Sequence, residues 1–175
     1  MYRKIHSNKG GFTLVETLVT LLILGLVATL SLSTLSFFTQ ISDISTKRTE
    51  SDRKFEKIHL FLQQQIDRSE KVYVKGGVVY LQDRDDKKKG YYNKYVLNDT
   101  GMLYRYKVDG TKFKNISGSP NEFEEGLATF SLTLETADGA YTGNIVLEIS
   151  FKSNKDQVYE AIMDIPAGIS AINQL

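Results

Sequence analysis

Thr17 to Phe38 is an unbroken apolar run with no charged residue and no proline, and the chain changes character twice after it. The run is about 22 residues long, enough to cross a bilayer as a helix, and at about 1.5 Å of rise per residue it spans roughly 33 Å. From Gln40 onward the pattern turns polar with apolar residues at helical steps, most clearly Phe55, Ile58, Leu62 and Ile66. No helix breaker stands between Phe12 and Arg68, so a single helix is predicted, membranous in its first part and amphipathic in its second. Thr39 to Lys54, where only Ile41 and Ile44 are apolar, is its weakest stretch. A Phe/Ile/Leu stripe of this spacing reads as core packing rather than as a ligand site.

After Glu70 the period becomes two. Strands are predicted at Val72–Lys75, Val78–Gln82, Tyr91–Leu97, Met102–Val108, Leu127–Glu135, Asn144–Phe151 and Gln157–Ile165. Asn98-Asp99-Thr100-Gly101, Asp109-Gly110 and Asp138-Gly139 tolerate positive φ, so the strands flanking each are expected to pair as antiparallel hairpins. Ile145, Leu147, Ile149 and Phe151 form one apolar face, as do Phe130, Leu132 and Leu134 before them and Tyr159, Ala161, Met163 and Ile165 after them. A long N-terminal helix whose stripe is buried by an antiparallel sheet is an α+β arrangement.

Composition adds limits. Residues 40–175 suffice for one globular domain with a real core, and the 41% hydrophobic and 25% charged residues of the whole chain are ordinary for a globular protein. The chain has no cysteine, which excludes disulfides, thiolate zinc sites and cysteine nucleophiles. It has two histidines, His6 near the N-terminus and His59 on the predicted helix, so a Ser/His/Asp site would have to use His59. Asp83, Asp85 and Asp86 lack the glycine and distal glutamate of a calcium loop and run into Lys87, Lys88 and Lys89. Glu122, Glu124 and Glu125 follow Ser119-Pro120 and could assist calcium binding, with a polar loop the preferred reading. Gly76-Gly77 is a strand turn and not a phosphate loop. The expectation is a chain with no enzymatic activity, no cofactor and no metal.

Charge is unevenly spread. Residues 84–114 hold nine Lys or Arg against four acids, and residues 115–175 hold two against nine. Arg84, Lys87, Lys88, Lys89, Lys94, Arg105, Lys107, Lys112 and Lys114 interleave with Tyr91, Tyr92, Tyr95, Tyr104 and Tyr106. Such a patch suits contact with DNA phosphates and bases, or docking onto an acidic partner surface, and docking is the preferred of the two. Solvated strand faces are the bland alternative.

The residues before the apolar run carry the sharpest signal. Met1 to Gly11 contains Arg3, Lys4 and Lys9 and no acid, which holds the N-terminus in the cytoplasm and sends the rest of the chain outward. A secretory signal would place its cleavage site after an apolar region of about 7 to 15 residues, which fits this run poorly. Lys9-Gly10-Gly11-Phe12-Thr13-Leu14-Val15-Glu16 resembles the processing site of type IV prepilins and pseudopilins. The resemblance implies that a membrane peptidase cuts between Gly11 and Phe12 and methylates the new amine of Phe12. It implies a leader at 1–11, a transmembrane and filament-core helix at 12–39, an extracellular α+β domain at 40–175, and the pilin fold.

Glu16 is the anomaly of the run, because a carboxylate at the centre of a membrane helix costs roughly 2.5 to 3.5 kcal/mol and less toward an interface. One account pairs it with the positive amine of Phe12 on a neighbouring subunit in the filament core, as the resemblance implies. The other is local: Thr13-Leu14-Val15-Glu16 fits a capping box at a helix start. Many major pilins kink this helix at a proline, whereas here only Gly25, Thr29, Ser31, Ser33, Thr34 and Ser36 are available to loosen it.

Within that class the sheet-rich domain and the absence of a proline from the helix suggest a minor subunit. The general plan, with its Gly76-Gly77-Val78-Val79-Tyr80-Leu81 hairpin and the Leu103-Tyr104-Arg105-Tyr106 strand before Asp109-Gly110, resembles minor pilins of Gram-positive competence or type IV pilus systems and the larger pseudopilins of type II secretion. The resemblance then implies a structural subunit at a filament tip or initiation complex, serving DNA uptake, adhesion and motility, or secretion. Its implied partners are the prepilin peptidase, major and other minor pilins, the assembly platform and motor, the membrane and, for the basic patch, DNA. It would sit in the cell membrane as a single-pass protein and then in an extracellular filament. The alternative is a signal-anchored surface binding protein that never polymerises, with a membrane-tethered enzyme a distant third.

Overall fold

The computed structural model describes residues 13–83, 90–116, 118, 120–137, 140–167 and 169–174. The chain divides into two units, Met1–Ser45 and Thr46–Leu175. One helix, α1, covers Leu14–Arg68 without interruption, so the polar stretch from Thr39 to Lys54 stays helical. Its end is set by Ser69, whose N–H donates to the Ile66 carbonyl at 2.9 Å and whose hydroxyl reaches the Gln65 carbonyl at 2.7 Å. Arg68 in the last turn suits the negative end of the helix dipole.

Among the described residues nine strands follow: β1 Lys71–Lys75, β2 Val78–Gln82, β3 Tyr91–Leu97, β4 Met102–Asp109, β5 Asn121–Glu125, β6 Leu127–Ala137, β7 Ala140–Phe151, β8 Asn154–Asp164 and β9 Ser170–Gln174. They form two sheets. The larger has the order β5-β4-β3-β2-β1-β9 and the smaller β6-β7-β8. Every pairing is antiparallel except β1 with β9, which is parallel. The α+β arrangement is as expected, and the single antiparallel sheet is in fact two. β5 and β9 were not expected, because β5 is acidic with Phe123 as its one large apolar residue and β9 carries only Ile172.

The turns explain themselves in part. Gly101 ends the β3–β4 hairpin at φ 79°, where a Cβ would also strike the Leu127 carbonyl and the Lys152 side chain. Asp138-Gly139 lies outside the described residues, between strands β6 and β7 that pair antiparallel as expected. Asp109-Gly110 begins a wider turn in which the Phe113 N–H donates to the Asp109 carbonyl at 2.7 Å and the Asp109 N–H to the Lys114 carbonyl at 3.1 Å, so that Val108 bridges Asn115 antiparallel, and the next strand, β5, pairs antiparallel with β4. Gly110 lets this turn pass against the Tyr92 ring and the Gly90 carbonyl, where a Cβ has no room.

The core of the second unit gathers Ile58, Leu62 and Ile66 of α1 with the inward faces of both sheets. Ile145, Leu147 and Ile149 are fully buried and Phe151 nearly so. Leu132 faces Leu147, which faces Ala161, and Leu134, Ile145 and Met163 make the next row, as the alternating pattern predicts. Phe55, Phe61, Phe123 and Tyr159 pack around this core.

A second cluster lies on the other face of the larger sheet. Tyr80, Tyr92 and Val108 are buried there with Tyr73, Val78 and Phe113 against them. Phe113 adopts φ 52°, uncommon for a bulky side chain, and its ring sits 5.2 Å from Tyr80 and 5.7 Å from Tyr73. The loop therefore closes over the sheet by seating one ring in a tyrosine-lined cup.

These tyrosines make the domain sensitive to alkali. Burial raises the pKa of Tyr80, Tyr92, Tyr95 and Tyr159, helped at Tyr92 by Tyr73 and at Tyr159 by the hydrogen bond its hydroxyl donates to Asp52 at 2.8 Å. A phenol held above its unfolded value of about 10 adds stability that is complete below that pH and is lost as pH climbs through the folded value. The melting temperature is therefore expected to be flat from pH 8 to about 10 and to fall beyond it at fixed ionic strength. Tyr95→Phe should soften that fall at little cost, because the Tyr95 hydroxyl is buried with no hydrogen-bond partner among the described residues. An alkaline limb identical in the variant would refute the assignment to Tyr95.

Candidate assembly site

At the start of α1 the chain closes a capping box on itself. The Thr13 N–H donates to Glu16 Oε2 at 3.0 Å, the Thr13 hydroxyl donates to the same oxygen at 3.0 Å, and the Glu16 N–H donates back to Thr13 Oγ1 at 3.3 Å. Two free backbone donors of the first turn are thereby satisfied, and the carboxylate lies at the positive end of the helix dipole. Thr13 and Glu16 both lie after the expected cut, so the box does not depend on the leader. Gly11 and Phe12 themselves lie outside the described residues.

The helix that follows is long and apolar enough to cross a membrane, with a mean hydropathy of 2.3 over its most apolar 18-residue window, none of it buried. Its hydroxyls do not interrupt it. Thr17, Thr20, Thr29, Ser31, Ser33, Thr34 and Thr39 each donate to a carbonyl three or four residues earlier, at 2.6 to 2.9 Å. Hydroxyls bonded within their own helix carry no unpaired donor into an apolar medium. The residues singled out as able to loosen the helix are thus mostly engaged in it.

The basic patch is sorted by the strands. Arg84, Lys87, Lys88 and Lys89 lie outside the described residues, as do Asp85 and Asp86. Lys94 projects from the outward face of the larger sheet, its Nζ 5.5 Å from the centre of the Tyr106 ring. Arg105 and Lys107 lie on the opposite, core-side face, since Arg105 pairs with Tyr95 and Lys107 with Asn93. Lys107 holds Asp83 at 2.8 Å, and Arg105 Nε is buried with no hydrogen-bond partner among the described residues. Lys112 and Lys114 are exposed on the loop around Phe113. Sequence spacing did not single out Lys75, which sits on the outward face with its Nζ 4.6 Å from the Phe113 ring centre. Strand alternation from the buried Val72 would have placed it there.

His59 stacks on Phe55 with ring centres 6.0 Å apart. Glu124 pairs with Lys57 at 2.6 Å, joining β5 to the helix. Among the described residues no group of three or more His, Cys, Asp or Glu side chains is arranged to hold a metal ion.

Comparison with known proteins gives one positive result. Residues 6–32 match the family model described as the prokaryotic N-terminal methylation motif, the type IV pilin-like signature. The match takes in the end of the leader from His6, the expected cut, the capping box and the apolar run as far as Leu32. No curated protein and no solved structure matches the chain.

Proposed function

We propose that this chain, which carries the type IV pilin-like N-terminal signature, is a structural subunit of a type IV pilus-like filament, in finer terms a minor pilin or pseudopilin. The observation that carries the proposal is the methylation motif at residues 6–32 running straight into a helix apolar enough for a membrane. The motif implies processing by a prepilin peptidase and assembly with other pilins. In the proposed cycle the helix stores the chain in the membrane as a single-pass protein. The peptidase then removes residues 1–11 and methylates Phe12, and an ATP-driven motor acting through an assembly platform extracts the mature chain into a filament.

Within that filament the apolar helices bundle out of water and the sheet domain decorates the outside. A few copies placed together at the tip or in the initiation complex fit the sheet-rich domain and the absence of a proline in the helix run. The chain does no chemistry in this scheme. Filaments of this class serve DNA uptake, adhesion and motility, or protein secretion, and we read the outward basic face as a docking surface in preference to a DNA site. DNA binding that weakens with salt and is lost in a Lys87→Glu, Lys88→Glu, Lys89→Glu variant would reverse that preference.

The test is to shear surface filaments from the native organism and weigh this chain in them. Residues 12–175 with one added methyl, at a small fraction of the main subunit, are expected. Full-length chain found only in membranes would point to a static surface anchor instead.

Glu16 has two roles in this scheme, and one substitution separates them. Glutamine also completes a capping box, so Glu16→Gln keeps the helix start and removes the charge that would meet the Phe12 amine. Processing is expected to continue while incorporation into filaments falls at least about tenfold, the scale of one lost charge pair in an apolar setting. Filaments at the wild-type level would leave Glu16 as a cap alone.

A further inference from the structure

Each sheet of the second unit turns one face to the common core and the other outward. On the smaller sheet the register sets Glu148 of β7 directly opposite Glu160 of β8, and Val146 opposite Ile162. Both glutamates are exposed, and neither has an ion pair among the described residues. Val158 and Ile162, on the same face, are 62% and 54% exposed. Like charges directly opposite on a sheet are destabilising, so this face is poorly suited to water alone. It would be relieved by a cation on an apolar or aromatic support.

The larger sheet carries such a surface. Lys94 stands opposite Tyr106 and Val96 opposite Tyr104 on its outward face, and Val96 is 38% exposed. The Tyr106 ring beneath Lys94 fixes the ammonium near an aromatic plane. Tyr104 and Tyr106 lie with ring centres 6.2 Å apart, making a broad support beside it.

We propose that these two faces bind each other between copies of this chain. The Lys94, Tyr104 and Tyr106 face of one copy covers the Glu148, Glu160 and Ile162 face of the next. Charge complementarity sets the register, and the exposed β-branched residues supply the apolar area. Because the two faces differ, the contact is head-to-tail and leaves a free face at each end, so it extends into a row of subunits. This rests on the filament proposal for the place where it acts, a few adjacent copies at a tip being enough.

The test uses the full-length chain, which has no cysteine of its own. Two differently tagged forms, Val96→Cys and Ile162→Cys, are co-expressed in the native membrane and treated with a short bismaleimide. A crosslinked heterodimer is expected, with no dimer from either form alone. Glu148→Lys with Glu160→Lys on the Ile162→Cys form should lower the heterodimer about tenfold, and Lys94→Glu on the other form should restore it. A dimer from Val96→Cys alone, a heterodimer no stronger than one made with Gln64→Cys on the exposed helix surface, or indifference to charge reversal would each overturn the contact. Phe12 methylation is read in the same samples. Methylated chain in filaments without the crosslink sinks the contact alone, whereas unprocessed chain sinks the filament proposal while the crosslink still tests the contact.

Discussion

Gly11→Val is expected to yield only the full-length mass of residues 1–175, with no species of residues 12–175, no added methyl, and none of the chain in sheared filaments. Two physical reasons combine. A peptidase that cuts after this residue must bring its reacting groups close to the backbone, and glycine has no Cβ to obstruct them. The uncut leader would also carry Arg3, Lys4 and Lys9 into the apolar helix bundle, where each cation costs up to about 2.5 to 3.5 kcal/mol. The amount of chain in the membrane should stay near wild type, since the apolar run itself is untouched. Recovery of residues 12–175 from the variant would remove the processing step from the proposal, and filaments containing the uncut chain would remove the need for it.

Leu62→Ala is expected to destabilise the sheet domain by about 2–5 kcal/mol, or a fall in melting temperature on the order of 10 °C. Leu62 is fully buried one turn from Ile58 and one turn from Ile66, where the helix stripe meets the inward faces of both sheets. Truncation there loses the transfer energy of the side chain and leaves a cavity that three packed layers cannot readily close. Leu60→Ala, two positions away and 58% exposed, should change stability by less than about 0.5 kcal/mol. Thermal melts of the two variants beside wild type decide the matter, and equal effects would contradict the placement of the stripe.

The helix stripe and the β7 face could be read directly because each follows from a period. Apolar residues at steps of three and four can be buried together only by a helix, and Ile145, Leu147, Ile149 and Phe151 only by a strand. Other features could not be read this way. β5 is acidic and β9 has Ile172 as its one large apolar residue, so neither shows alternation, and both owe their pairing to neighbouring strands that offer a free edge. The division into two sheets has no local signal either, since each strand carries the same pattern whichever sheet it joins. Lys94, Arg105 and Lys107 appeared as one basic patch in sequence, yet register sends Lys94 outward and the other two toward the core.

Sequence by itself determined the membrane-length helix, the methylation motif, the capping box at Thr13 and Glu16, and the α+β class, because each is a local pattern of spacing or charge that no distant residue alters. Only the tertiary structure decided which cations share a face, which tyrosines are buried, where Phe113 is seated, and that Glu148 stands against Glu160. Those depend on strand register, and register is chosen by the packing of residues far apart in the chain against one common core.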